Sequence, residues 1–148
     1  DEADPALYGP APYAHYGFDA QDGSHQDLAH GEYLAALLSP GCGHCRAAVP
    51  KLNELRQASG IPTVVGFLSV SGGDREGVFR KLLDELKPEF PVCPISPRTF
   101  YTQLEGAPMP QFVFLRDGNV VRRWRSGMPS VEAVRSAVRG RAPRNDAR

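Results

Sequence analysis

The sequence predicts one α/β domain with a mixed central sheet and helices on both faces. Two observations support this prediction: apolar, strand-like runs alternate with segments of helical spacing, and the series then continues into a hairpin pattern. The chain has 148 residues, 41% hydrophobic and 23% charged, which is typical of a globular protein. That length is enough to bury a single core without stabilising disulfides or metal ions.

The front of the chain predicts an extended arm over residues 1–17, because it holds three prolines, two glycines and three tyrosines but no apolar period. Phe18–Gly23 follows as a short strand that ends in an Asp-Gly turn, a strong hairpin signal. We therefore place the domain at residues 18–140 and a basic tail at residues 141–148.

The central elements follow from apolar runs and stop signals. Tyr33–Ser39 has no polar alternation until its end, which predicts a strand covered on both faces. A helix is expected from about Gly43 to Ser59, kinked at Pro50. Thr63–Val70 is expected to be the second core strand.

The next helix is predicted to begin at a capping box formed by Ser71 and Asp74. Phe90–Ser96 is flanked by prolines, which favours an edge strand, and a short helix is expected to follow and to end at Gly106. The run 111–124 predicts an antiparallel hairpin around the two-residue turn Asp117-Gly118. The last helix begins near Pro129 or Ser130 and stops at Gly140 in this prediction.

Charge is distributed unevenly along a chain whose net charge is zero. Seven acidic residues and no Lys or Arg precede Arg46, whereas nine Arg and three acidic residues follow Pro110. The first interpretation is that these charges lie on solvent-exposed faces of the domain, which attract one another. The alternative is that the arginines form a basic surface for an acidic partner or for lipid headgroups. The zero net charge argues against nucleic-acid binding, and no run of eighteen apolar residues predicts a membrane span.

Cys42-Gly43-His44-Cys45 lies where the first core strand passes into the first helix. Free N–H groups and the positive dipole end of a helix favour a thiolate, so we expect the pKa of Cys42 to fall from about 8.5 into the range of roughly 3.5 to 7.5. Cys45 is one turn further in, and we expect it to be shielded and to resolve the mixed disulfide that Cys42 forms.

His44 is expected to tune this pair. A cationic or hydrogen-bond-donating imidazole would stabilise the Cys42 thiolate and with it the reduced form, so the oxidised pair would be a stronger oxidant. We therefore expect the variant His44→Ala to raise the pKa of Cys42 and to lower the reduction potential.

Other uses of the cysteines are weaker. A structural disulfide between Cys42 and Cys45 would close too small a loop to stabilise the fold much. Zinc needs four ligands, and three of the four histidines lie in the front segment, so we predict no metal site. Cys93 is expected to be a small buried hydrophobe, with a regulatory thiol as the alternative.

Three pieces of the chain together resemble the thioredoxin superfamily: Ser39–Arg46 with both cysteines, Pro50 five residues after Cys45, and Met109-Pro110 ahead of Phe112–Gly118. The resemblance covers about residues 18–140 and implies a three-layer, thioredoxin-like fold. Within the superfamily the chain is similar to the extracytoplasmic, usually membrane-tethered TlpA-type branch. That branch has an N-terminal strand pair and, before the distal proline, an inserted strand and helix, here at Phe90–Gly106.

The resemblance implies roles for particular residues. Pro110 is expected in the cis form facing the cysteines, and the backbone of Met109 is expected to pair with a bound substrate strand. The implied activity is thiol–disulfide exchange with a cysteine-containing protein substrate and a redox partner protein. No cofactor is implied besides the redox-active disulfide of Cys42 and Cys45, and we expect a monomer.

The chain departs from the family pattern at three positions. Gly41 replaces the usual tryptophan, which opens the substrate-binding rim. Ala36 replaces a buried acid that assists deprotonation of the second cysteine, and leaves Glu54 or water to substitute. The Gly43-His44 dipeptide resembles disulfide isomerases, whereas the branch suggests a reductase, so the direction of exchange stays open.

The TlpA-type resemblance also implies a location outside the cytoplasm, in the periplasm or cell envelope. A chain that begins at Asp1 is compatible with a signal peptide or membrane anchor upstream. A hypothesis of a different class is a non-catalytic binding domain of thioredoxin fold, which would hold an extended partner segment at the rim near Gly41 and Met109.

Overall fold

The computed structural model describes residues 13–140. The elements, in chain order, are β1 (Gly17–Asp19), β2 (His25–Asp27), β3 (Glu32–Leu38), α1 (Gly43–Leu55), β4 (Thr63–Ser69), α2 (Arg75–Leu86), β5 (Val92–Ile95), α3 (Pro97–Leu104), β6 (Gln111–Arg116), β7 (Asn119–Trp124) and α4 (Val131–Val138). Strands β1 and β2 form an antiparallel pair, and the other five form one sheet in the order β5-β4-β3-β6-β7. The predicted mixed sheet is confirmed. β3, β4 and β5 run parallel to one another, β6 is antiparallel to β3, and β7 is antiparallel to β6.

The central strand β3 is buried on both faces, as its uninterrupted apolar run predicts. Leu34, Ala36 and Leu38 face one cluster of buried side chains, to which α1, α2 and α4 contribute. Ala35 and Leu37 face a second cluster, which α3 and the N-terminal segment cover. The helices therefore lie on both faces of the sheet and form three layers around it.

Two helix boundaries differ from prediction. α1 ends at Leu55 rather than Ser59, and the chain then turns to Gly60, which has a φ of 81°. The Ser71–Asp74 capping box is wrong, because Asp74 is itself the N-cap of α2 and its carboxylate accepts a hydrogen bond from the Gly77 N–H at 3.1 Å. Gly72 has a φ of 109°, so the chain is not helical between the two predicted cap residues.

The two edges of the sheet differ. β5 is an edge strand, as predicted, and the Gln21 side chain bonds to the backbone where the strand begins. The Gln21 Nε2 donates to the Phe90 carbonyl at 2.7 Å, and its Oε1 accepts from the Val92 N–H at 3.0 Å. At the other edge, β6 and β7 form the predicted hairpin, with positive φ angles at both Asp117 and Gly118.

The last residues of the predicted arm pack on the domain. Tyr13 is 1% exposed, contacts Phe67 of β4 and donates its backbone N–H to the Gly118 carbonyl at 3.0 Å. The rest of the arm, residues 1–12, and the basic tail at residues 141–148 lie outside the described residues, so the proposed boundaries stay a prediction. Among residues 13–140, every helix is too short or too polar to cross a bilayer.

Candidate redox site

The two cysteines lie at the carboxyl end of the central strand, where α1 begins. Cys42 is the N-cap residue of α1, with extended backbone angles of −104° and 121°. The backbone turns sharply before it, since the Cys42 N–H donates to the Ser39 carbonyl at 3.2 Å. No side chain caps the helix, so the N–H groups of its first turn face the Cys42 sulfur without a competing carboxylate or hydroxyl.

This position favours the thiolate of Cys42, which is only partly exposed. Burial by itself disfavours the charged form. Hydrogen bonds from the Cys45 N–H, the Cys45 thiol and the His44 N–H outweigh that cost, and the pKa of Cys42 is lowered from its ordinary value. The shift has the direction that the sequence predicts.

Cys45 has the opposite character. It is 1% exposed, and burial raises its pKa to about 12. The Cys42 sulfur raises it further by its hydrogen bond and its charge, whereas a hydrogen bond from the Ser39 backbone acts against the rise. Both cysteines carry free thiols. The pair therefore combines an accessible, easily ionised thiol with a buried one that holds its proton.

The residues next to Cys42 in the chain leave the surface around its side chain open. Gly41, Gly43 and His44 are exposed, and a Cβ atom at either glycine would meet no atom within 4 Å. The His44 imidazole lines a surface groove, while the His44 group that lowers the Cys42 pKa is its backbone N–H. The contacts that lower the Cys42 pKa therefore do not include the imidazole, which was predicted to stabilise the Cys42 thiolate.

The Met109-Pro110 segment meets the helix start from the other side. Its peptide bond is cis, as the family resemblance implies. Met109 and Cys42 pack against the same core cluster, and both Met109 and Pro110 line a groove of about 410 Å³ together with His44 and Lys51. The fold therefore brings His44 into one groove with Met109 and Pro110, which lie more than sixty positions further along the sequence.

Glu54 does not replace the acid missing at Ala36. Ala36 is fully buried in the cluster that contains Cys45. Glu54 is exposed and lines a different groove, with Pro50 and Gln57. It follows Cys45 by nine residues, or about 13 Å along the axis of α1. Glu54 is therefore not placed to take the Cys45 proton. Within residues 13–140, no group of three or more His, Cys, Asp and Glu side chains is arranged to hold a metal ion.

Sequence reasoning missed Arg46, which follows Cys45. Its Nε donates to the Pro40 carbonyl at 2.6 Å, and its Nη1 lies 3.3 Å from a carboxylate oxygen of Glu85 on α2. Arg46 therefore fixes the turn that precedes Cys42. The only sequence signal was its position next to the motif, because Glu85 is 39 residues away along the chain.

Comparison with known proteins supports the fold. A secreted Mycobacterium tuberculosis disulfide oxidoreductase homologous to E. coli DsbE is similar over 86% of this chain and 97% of its own, with a TM-score of 0.61 and 16% identity. StoA from Bacillus subtilis gives a TM-score of 0.67 at 13% identity, over 86% and 98% of the two chains. An exposed lipoprotein thioredoxin, Etrx1, from Streptococcus pneumoniae gives 0.65 at 17% identity, over 84% and 98%.

No protein-family model matches the chain, and no curated protein matches it significantly. The similarity therefore lies in the backbone arrangement, which covers nearly the whole length of each of these solved structures. The predicted fold class is confirmed: the chain has the thioredoxin-like fold that these oxidoreductases share.

Proposed function

We propose that this chain is a thiol–disulfide oxidoreductase that exchanges disulfides with protein substrates through Cys42 and Cys45. The observation that supports this proposal most directly is the asymmetry of the pair, since Cys42 has a lowered pKa and Cys45 a pKa of about 12. A structural disulfide would gain nothing from one accessible thiolate and one shielded thiol, whereas stepwise exchange requires both.

The first step belongs to Cys42. Its thiolate attacks one sulfur of a substrate disulfide, the substrate S–S bond breaks, and the released substrate thiolate takes a proton from solvent. The product is a mixed disulfide between Cys42 and the substrate. Hydrogen bonds from the N–H groups of His44 and Cys45 hold the attacking sulfur as an anion before the reaction.

The second step belongs to Cys45. Its thiol loses a proton to water, and the resulting thiolate attacks the Cys42 sulfur and displaces the second substrate thiolate, which is protonated. Two electrons have then passed from the Cys42–Cys45 dithiol to the substrate, which leaves as a dithiol. The reverse sequence oxidises a substrate dithiol, and the reduction potential of the pair decides which direction prevails.

Substrate placement is proposed to use the backbone of Met109, next to the cis Pro110. These residues and His44 line the same groove, and a Cβ atom at Gly41 would meet no atom within 4 Å. An extended substrate segment can lie there and present its disulfide to the Cys42 sulfur.

We further propose that the protein works outside the cytoplasm, as a monomer, and reacts with a separate redox partner protein. The similar M. tuberculosis protein is described as secreted, and the S. pneumoniae protein as an exposed lipoprotein. Fractionation of the native host cells, followed by detection with an antibody, tests the location, and sedimentation of the purified chain tests the monomer.

Reduction of insulin by dithiothreitol tests the activity. The wild-type chain should accelerate insulin precipitation, Cys42→Ser should abolish the acceleration, and Cys93→Ala should leave it intact as the matched control. Cys45→Ser should accumulate a mixed disulfide that survives non-reducing electrophoresis. Equal rates for the wild type and Cys42→Ser would reject the oxidoreductase and leave the binding-domain hypothesis.

A further inference from the structure

A short loop between α3 and β6 carries Met109 and Pro110. It runs from Glu105, the C-cap residue of α3, to Gln111, the first residue of β6. Pro108 and Pro110 have no backbone N–H to donate, so the loop can form few backbone hydrogen bonds of its own. The Met109 side chain packs against both core clusters, and polar side chains hold the two ends of the loop.

Gln111 is fully buried at the far end of this loop. Its Nε2 donates to the Leu104 carbonyl at 3.2 Å, and its Oε1 accepts a hydrogen bond from Arg123 Nη1 at 2.6 Å. The first of these bonds ties the end of the loop back to the last residue of α3. A buried amide without partners would destabilise the fold, so both bonds constrain where the Gln111 side chain can lie.

Arg123 of β7 reaches both ends of the loop with one guanidinium group. Besides its bond to Gln111, its Nη2 lies 3.4 Å from Glu105 Oε2. Arg123 lies opposite Val113 in the hairpin, and Val113 shares a face of β6 with Gln111, which explains this reach. The planar guanidinium presents several donors in a fixed geometry, so it can bind two acceptors at once. The Arg123 side chain is only 18% exposed, so water screens its ion pair less than it screens a fully exposed one.

Glu105 connects the loop to a second segment that lines the groove. Its other carboxylate oxygen, Oε1, lies 3.0 Å from Arg125 Nη2. Arg125 is the first residue of the run 125–128, which lines the 410 Å³ groove together with Met109 and Pro110. The contacts of Glu105 therefore join two of the chain segments from which this groove is built.

We propose that Glu105, Gln111 and Arg123 are positioning residues for the protein substrate. They hold the loop where an extended substrate segment pairs with the Met109 backbone. This inference deepens the proposed function, on which it rests for the substrate. The groups that lower the pKa of Cys42 belong to the start of α1 and do not include these three side chains. The three residues therefore act on the binding of a protein substrate and leave the intrinsic reactivity of Cys42 unchanged.

The test compares a protein substrate with a small reagent on the same variants. Arg123→Lys keeps the charge but places a single ammonium group between two acceptors, and Glu105→Gln removes the carboxylate charge. In insulin reduction by dithiothreitol, we expect each variant to raise the apparent KM for insulin by about three- to tenfold with little change of the maximal rate, because a displaced loop weakens binding. Alkylation of Cys42 by iodoacetamide does not require the loop, so its rate should stay within about twofold of the wild-type rate.

Arg80→Lys is the matched control, because it makes the same substitution on α2 in a side chain that is 70% exposed. It should leave both the KM for insulin and the alkylation rate unchanged. Gln111→Leu keeps a similar volume and removes both buried bonds, so it should raise the KM at least as much as Arg123→Lys does. If this core variant does not fold, Arg123→Lys and Glu105→Gln decide the question, since both change partly exposed side chains.

Three outcomes would overturn the positioning role. They are an unchanged KM in Arg123→Lys or in Glu105→Gln, an equal loss of the insulin and iodoacetamide reactions, which would locate the defect at Cys42, and the same rise of KM in Arg80→Lys. If the wild-type chain reduces insulin and the variants match it, the positioning role alone is wrong. If the wild-type chain does not reduce insulin, the proposed function is wrong, and this role is rejected with it.

Discussion

Replacement of His44 separates two ways in which this residue can act on Cys42. His44→Ala removes the imidazole and keeps the backbone N–H, whereas His44→Pro removes both. The structure assigns the effect on Cys42 to the N–H. We therefore expect His44→Pro to raise the pKa of Cys42 and His44→Ala to leave it nearly unchanged, in contrast to the expectation from sequence.

The size of the effect follows from the bond that is lost. A hydrogen bond to a charged group contributes about 1.5–3 kcal/mol, and partial exposure of Cys42 lets water recover part of it. A net loss of about 1–1.5 kcal/mol lowers the ratio of thiolate to thiol at a given pH by about five- to tenfold. Proline is tolerated here, because position 44 lies in the first turn of α1, where the N–H has no helical partner.

Ultraviolet thiolate absorbance against pH measures this ratio, with Cys42→Ser as the baseline. Unfolding midpoints of both variants check that the start of α1 is intact. If His44→Ala raises the Cys42 pKa as much as His44→Pro does, the imidazole is the active group and the reasoning from the backbone is wrong.

Three further predictions follow from the structure. Iodoacetamide should modify Cys42 first, at a rate that rises with pH through the lowered Cys42 pKa and then levels off. Cys45 and Cys93, both with pKa values of about 12, should stay unmodified at neutral pH, as checked by mass spectrometry. Equal labelling of Cys45 would contradict its burial. Gly66→Ala should cost about 1–3 kcal/mol in urea unfolding, because the added Cβ would lie 2.9 Å from the Phe90 ring, whereas Gly73→Ala, with open space around it, should cost far less. Gln21→Ala should cost about 1–3 kcal/mol by the same measurement, since it leaves two backbone groups at the edge of β5 unpaired, and the exposed Gln57→Ala is its control; equal losses in the two would show that solvent replaces the Gln21 bonds.

The sequence predicts best those features that neighbouring residues determine. The Asp117-Gly118 turn needs positive φ angles at two adjacent positions, and Cys42 reaches a helix start because an apolar strand ends just before it. Contacts between distant residues were not predictable. Gln21 binds the Phe90 backbone across 69 positions, and Arg46 meets Glu85 across 39. Nothing in the local pattern of Gln21 or Arg46 distinguishes it from a solvated side chain.

The cap of α2 shows a different limit. Ser71 and Asp74 have the spacing of a capping box, yet the two glycines between them allow the chain to turn there and leave Asp74 as the cap. The capping-box spacing assumes helical backbone between its two residues, and the assumption fails where glycines allow the chain to turn. The family resemblance succeeded where local patterns could not, since it predicted the cis peptide bond between Met109 and Pro110.

The absence of an acid at Ala36 changes how the second thiol can react. In the reduced pair, burial raises the pKa of Cys45 first, and the Cys42 sulfur then adds to the rise by its hydrogen bond and its charge. Once Cys42 is joined to a substrate, that sulfur carries neither a charge nor a thiolate hydrogen bond, so both of these contributions are lost. Burial remains, and the Ser39 backbone still opposes it. In the proposed mechanism, formation of the mixed disulfide therefore lowers the pKa of Cys45 relative to the reduced pair, while burial, the largest cause, keeps that pKa raised.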